Sequence, residues 1–173
     1  STNQNTWISW IRKEMELPIY KDLKLVKIAY GDDLNDKATS ETEGLLKSFP
    51  NLKVIIAPTT VGVAAAGKVL SDKKLQGKTL LIGLGLPSEM AEDISVDACP
   101  WMYLWTPIDV GYITGYAAVA GTDGIIDGSV GGRFSAGRLG DKEVIADGKG
   151  TQIMLGDPFR FDKSNIDEWK LIY

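Results

Sequence analysis

Four short stretches of this sequence carry groups suited to holding a small uncharged molecule: Asn3-Gln4-Asn5, Pro58-Thr59-Thr60, Gly85-Leu86-Pro87 and Trp105-Thr106-Pro107. Amides and hydroxyls both donate and accept hydrogen bonds, and an indole face packs on the C–H face of a sugar ring. No lysine or arginine lies in the set, so it suits a neutral polyol better than a phosphate. Taken singly, Asn and Thr at helix starts are ordinary caps. Trp105, Trp7 and Trp10 are by default core residues. What raises a site is the recurrence of such residues at successive strand ends, where open α/β sheets bind their ligands.

Other chemistries are excluded or weak. The 173 residues include 19 Lys+Arg and 23 Asp+Glu, a net charge of −4, and no histidine. Ser-His-Asp and Cys-His catalysis and His-ligated zinc are therefore out. The single cysteine, Cys99, rules out an internal disulfide and a thiolate metal cage, and next to Pro100 it reads as inert. No cofactor and no metal site is expected. Mild acidity spread along the chain argues against nucleic acid as a partner. Gly77-Lys78-Thr79 lacks the upstream glycine of a phosphate loop, and Gly83-Leu84-Gly85 lacks the third glycine of a dinucleotide fingerprint. Asp32, Asp33 and Asp36 fail calcium-loop spacing and read as a solvated turn. A carboxylate enzyme with Asp109 or Glu89 as base stays open as an alternative, although no paired carboxylates occur at the strand ends. So does a ligand-sensing module of a regulator.

The elements that must position these residues follow from hydrophobic period. Apolar spacing predicts helices over 6–16, 36–49, 61–73, 87–94 and 109–121, with Asn3 or Asn5 capping the first and Asp109 the last. Strands are expected at 23–30, 54–57, 79–84 and 101–105; the run 54–57 reads as covered on both faces. Strand and helix alternate in the rhythm of βαβ units, so the fold class is α/β: a three-layer parallel sheet with helices on both faces. The series opens on a helix with no strand to feed it, so the sheet is expected to be incomplete. Glycine is dense from 122 to 150, and Asp147-Gly148-Lys149-Gly150 sits between two apolar runs, predicting a C-terminal β-hairpin segment. Residues 158–161 read as extended and 164–169 as a helical turn. No run approaches the roughly 18–20 apolar residues of a membrane span. The polar start Ser1-Thr2-Asn3 lacks the basic and apolar regions of a signal peptide.

Several strings, in this order, resemble a known family: Thr2-Asn3-Gln4-Asn5, Tyr30-Gly31-Asp32-Asp33, Gly44-Leu45-Leu46-Lys47, Ile55-Ile56-Ala57-Pro58-Thr59-Thr60, Leu104-Trp105-Thr106-Pro107, Gly137-Arg138-Leu139-Gly140 and Leu155-Gly156-Asp157-Pro158-Phe159. The chain resembles the solute-binding proteins of ABC sugar importers, in the branch with rhamnose-binding and autoinducer-binding receptors. The resemblance implies a two-lobed type I flytrap with ligand between the lobes, exported to the periplasm or lipid-anchored outside the membrane, and an ABC permease as partner. It implies that this chain is the later half. Residues 1–105 would form most of the C-terminal lobe, 106–135 a hinge crossing and a helix of the N-terminal lobe, and 136–173 the return crossing, hairpin and tail. By the same resemblance Asn3, Gln4, Pro58, Thr59 and Thr60 line the cleft, with Trp105 near a hinge position. Autoinducer receptors carry an acidic residue at the position of Asn3 and alanine at that of Thr60, so the ligand leans towards a neutral sugar such as rhamnose. Without its partner lobe, helix 109–121 should expose Val110, Ile113, Tyr116, Ala117 and Ala120, inviting pairing with the missing lobe or self-association.

Overall fold

The computed structural model describes residues 1–173. The chain forms two compact units, one of Ser1–Leu104 and Arg160–Tyr173, the other of Trp105–Phe159.

The first unit is the α/β part. Its elements are α1 (Thr2–Glu14), α2 (Asn35–Ser48), β1 (Val54–Ala57), α3 (Thr60–Asp72), β2 (Leu80–Gly83), α4 (Pro87–Ser95) and β3 (Trp101–Leu104). β1 and β2 pair in parallel, from Val54 opposite Leu80 to Ala57 opposite Gly83. A parallel bridge between Leu84 and Tyr103 leads on to β3. The core forms where helical and strand periods meet. α3 buries Val63, Ala66 and Leu70, α4 buries Pro87, Met90 and Ile94, and the strands add Leu81 and Met102. Those spacings of three and four residues put one apolar stripe of each helix on the sheet. Pro87 sits at the start of α4, where its missing N–H is no loss.

The second unit carries α5 (Pro107–Thr122) and the antiparallel strands β4 (Arg133–Ser135), β5 (Asp141–Asp147) and β6 (Gly150–Ile153). β5 and β6 form the expected hairpin, paired from Val144 opposite Ile153 to Asp147 opposite Gly150. Its own core joins Ile113 and Ala120 of α5 to Ile126, Phe134, Ala136 and Val144. The chain then returns through β7 (Phe159–Asp162), the hydrogen-bonded neighbour of β3, and ends in α6 (Ile166–Trp169). Phe161 and Ile166 join the first core. No helix is long and apolar enough to cross a membrane.

Five sequence expectations need correction. Residues 23–30 form no strand: a strand is completed by a neighbour's backbone, and this apolar segment finds none. β1 is covered on one face only, since Ile55 is buried while Ile56 is 46 % exposed. α1 starts at Thr2 with Ser1 as its cap, so Asn3 and Asn5 lie inside the helix and cap nothing. The cap of α5 is Thr106 and not Asp109. Finally, Ile113 and Ala120 are buried and Ala117 is half-buried, because β4 and β5 of the same unit pack on that face of α5. Val110 and Tyr116 are exposed as expected, and α5 exposes Ile108 and Val119 as well. β4 escaped notice because only Phe134 of its three residues is buried, too short a pattern to show a period.

The β1–β2 contact is tightest at its carboxyl end. A methyl group at Gly83 would run into the carbonyl oxygen of Ala57, whereas one at Gly44 in α2 meets nothing. Gly83→Ala should therefore lower stability by about 3 kcal/mol, the upper range for overpacking. Gly44→Ala should raise it by about 0.5–1 kcal/mol. Urea denaturation of both variants reads the contrast.

Candidate functional site

The loop after β1 is built by capping. Thr59 has extended backbone angles, φ −144° and ψ 148°, and its hydroxyl oxygen accepts a hydrogen bond from the Gly62 N–H at 2.9 Å. That bond satisfies one of the orphan donors of α3 and fixes Pro58, Thr59 and Thr60 at the carboxyl end of β1. All three are half-buried. The Thr60 side chain, in the first turn of α3, makes no hydrogen bond within the chain.

Gln4, half-buried in the first turn of α1, carries the most telling polar atom of the first unit. Its Oε1 is buried from solvent and has no hydrogen-bond partner. A buried acceptor left unmatched costs about 1–3 kcal/mol, and a ligand hydroxyl is a natural donor for it. Asn3, one residue earlier, is exposed. α1 has no buried residue and enters neither core, so no core packing holds Asn3 and Gln4 against the sheet.

Trp105 opens the second unit. Its indole Nε1–H donates to the carbonyl oxygen of Gly156 at 2.7 Å, so that donor is already engaged. The side chain as a whole is half-buried. The next residue, Thr106, caps α5 by accepting the Asp109 N–H at 3.2 Å. Asp109 is hydrogen-bonded and ion-paired to Arg138, whose guanidinium lies 4.5 Å over the Tyr112 ring. The Tyr112 and Tyr116 hydroxyls are 3.3 Å apart. Arg138, then Thr106, holds the Asp109 carboxyl below the usual carboxylate range. An ion-paired, weakly basic carboxylate is poorly suited to take a proton, which weakens the reading of Asp109 as a general base. The Arg138 partner of Asp109, and the Tyr112 ring against that arginine, were not legible, because the Asp109–Arg138 pair spans distant parts of the chain. Thr106-Pro107, a cap residue followed by proline, was the available sign of the true cap.

Two further polar groups are structural. The Ser71 hydroxyl donates to Asp93 Oδ1 at 3.0 Å, joining α3 to α4, and desolvation raises the Asp93 carboxyl above its ordinary value. Burial pushes the Cys99 thiol up to about 12, with Sγ 3.2 Å from the Trp101 carbonyl oxygen. No group of three or more His, Cys, Asp or Glu side chains is placed to hold a metal ion.

A parallel β–α series with neutral hydrogen-bonding groups at a strand end defines the class: an α/β domain of the type I periplasmic-binding-protein fold. The chain belongs to the periplasmic binding protein domain family, whose model matches residues 1–125. It is similar to an ABC transporter solute-binding protein from Clostridium phytofermentas solved with bound L-rhamnose, at 44 % identity and a TM-score of 0.91 over 99 % of this chain. A sugar ABC transporter structure from Actinomyces odontolyticus matches 98 % of the chain at 39 % identity and a TM-score of 0.85. LsrB from Clostridium saccharobutylicum, in complex with AI-2, shares the fold over 96 % of the chain at 19 % identity and a TM-score of 0.82. This chain spans 56 %, 54 % and 55 % of those three proteins, about half of each.

Two measurements test the electrostatics. The lowered Asp109 carboxyl contributes stability fully above about pH 4, the ordinary carboxylate value, and loses it as pH falls through the depressed value. Arg138→Gln should remove that component, narrowing the difference in urea midpoint between pH 5 and pH 2.5. The Cys99 thiol should resist iodoacetamide in the folded chain at pH 8 and react at once in urea. Its raised value also means stability is full below about pH 9 and lost as pH climbs towards 12.

Proposed function

We propose that this chain is part of the solute-binding component of an ABC importer, that it grips a small neutral sugar such as L-rhamnose, and that it carries out no chemistry of its own. The observation that carries the reading is the 44 % identity to an L-rhamnose-bound solute-binding protein over 99 % of this chain. The side chains fit it: Gln4 offers a buried acceptor without a donor, and Thr60 offers a hydroxyl beside a capped helix start. Asn3, Pro58 and Thr59 complete the polar and apolar edges on the first unit. The mechanism is a population shift: sugar joins two lobes, and the closed state is the one the membrane permease recognises. The place of action is the periplasm or the outer side of the membrane, with a lipid anchor as the form for a cell without a periplasm.

Calorimetry with L-rhamnose tests this. The 173-residue chain alone should bind weakly or not at all. Joined to polypeptide matching the rest of the rhamnose-bound relative, it should bind with a Kd of about 1 μM. In that joined protein Gln4→Ala and Thr60→Val should each weaken binding about tenfold or more. Turnover of the sugar, or equal binding of every sugar tried, overturns the reading.

A further inference from the structure

The acidity of this chain is spread, but part of its positive charge is gathered. Residues 44–78 hold six of the 19 basic side chains, Lys47, Lys53, Lys68, Lys73, Lys74 and Lys78, and one of the 23 acidic ones, Asp72. All six lysines are exposed. Lys68 pairs with Asp72 at 2.9 Å and Lys73 with Glu43 at 3.0 Å. No ion pair engages Lys47, Lys53, Lys74 or Lys78.

Topology puts five of the six at one end of the first unit. In a β–α series the amino ends of the strands and the carboxyl ends of the helices lie together. Lys53 immediately precedes β1, and Lys78 lies two residues before β2. The Leu80 N–H donates to the Lys53 carbonyl oxygen at 2.8 Å and the Thr79 hydroxyl to that of Leu52 at 2.9 Å, so the two strand entrances are adjacent. Lys47 is in the last turn of α2, and Lys73 and Lys74 follow the end of α3. α2 packs against α3, and an open hollow of about 530 Å³ there is lined by Glu43, Leu46, Lys47, Lys73 and Leu75. The helix dipoles favour lysines at 47, 73 and 74. They do not account for Lys53 and Lys78, which stand at strand entrances. Backbone geometry does not account for Lys74 either, since it has φ +55°, where glycine is favoured. Pro58, Thr59 and Thr60 lie at the opposite, carboxyl end of β1.

We propose that this lysine-rich end docks on an anionic lipid surface, with half-buried Leu46 and Leu75 as the apolar part of the contact. Lysines are flexible point charges, matched to a field of mobile headgroups, and each adds to the attraction of such a surface. The patch has no arginine fork and no exposed aromatic ring, the usual means of gripping a nucleic acid. A first unit docked by this end turns the loop 58–60 away from the lipid, where solute can reach it. The inference rests on charge placement and holds whichever solute the chain binds.

Vesicle sedimentation tests it on the 173-residue chain at neutral pH. Vesicles of phosphatidylcholine with about 30 % phosphatidylglycerol should bind the chain about tenfold or more tightly than phosphatidylcholine alone, and raising NaCl from about 0.05 M to about 0.5 M should abolish the difference. Two triple variants separate a patch from general charge: Lys53→Gln with Lys74→Gln and Lys78→Gln inside it, and Lys21→Gln with Lys24→Gln and Lys149→Gln outside it. All six positions are exposed and none is ion-paired, so the fold should survive both sets. The inner triple should weaken vesicle binding about tenfold or more, the outer one about twofold or less. Equal binding to the two kinds of vesicle, or equal loss in the two triples, overturns the proposal. So does binding of soluble polyglutamate that the inner triple abolishes while vesicles go unbound, because the partner is then an acidic protein.

Discussion

The parallel pairing of β1 with β2 is the constraint on which the first unit depends. Its register puts Ala57 opposite Gly83 and brings the two backbones close enough that only glycine fits there. From that point the chain leaves each strand into a loop and a helix: Pro58-Thr59-Thr60 into α3, and Gly85-Leu86-Pro87 into α4. The helices are secured by the same core that the strands complete, with Val63, Leu70, Met90 and Ile94 packed on Leu81 and Met102. The loop residues Pro58, Thr59 and Thr60, proposed here to meet a ligand, are therefore fixed from below by apolar burial and from the side by the cap at Thr59.

The second unit solves a different problem with different means. α5 is rich in glycine and alanine and carries little one-sided pattern of its own. Its buried face is chosen by the antiparallel strands that follow it, through Phe134 and Val144. Its amino end is held by Thr106, and its first turns by the Asp109–Arg138 pair and the Tyr112 ring. These contacts are partly exposed and individually weak, but they share one arginine, so each orients the others.

Much of the fold was readable because the strands and helices of an α/β unit differ sharply in period and length. β1 was read to the residue, and α2, α3, α4 and the β5–β6 hairpin to within a few residues, since burial and turn chemistry agree there. Residues 23–30 misled because apolar alternation states an appetite for pairing, and pairing needs a partner that the chain does not itself place there. Helix 109–121 misled in the opposite sense: Ile113 and Ala120 find cover in strands that carry almost no pattern. Of the candidate site, the types of the polar residues were legible, and so was the cap chemistry of Thr59. The unmatched Oε1 of Gln4 and the engaged indole of Trp105 were not, because both are facts of three-dimensional proximity.

The bond between the Trp105 indole and the Gly156 carbonyl ties a residue at the start of the second unit to one near its end. Gly156 has φ +134°, a conformation that side chains resist, so its carbonyl is aimed by a backbone that no other residue adopts easily. Neither position is free to drift alone: a larger residue at 156 swings the acceptor away, and any ring without an N–H at 105 strands it. Loss of either group therefore removes the tie, although fifty residues of chain separate the two positions.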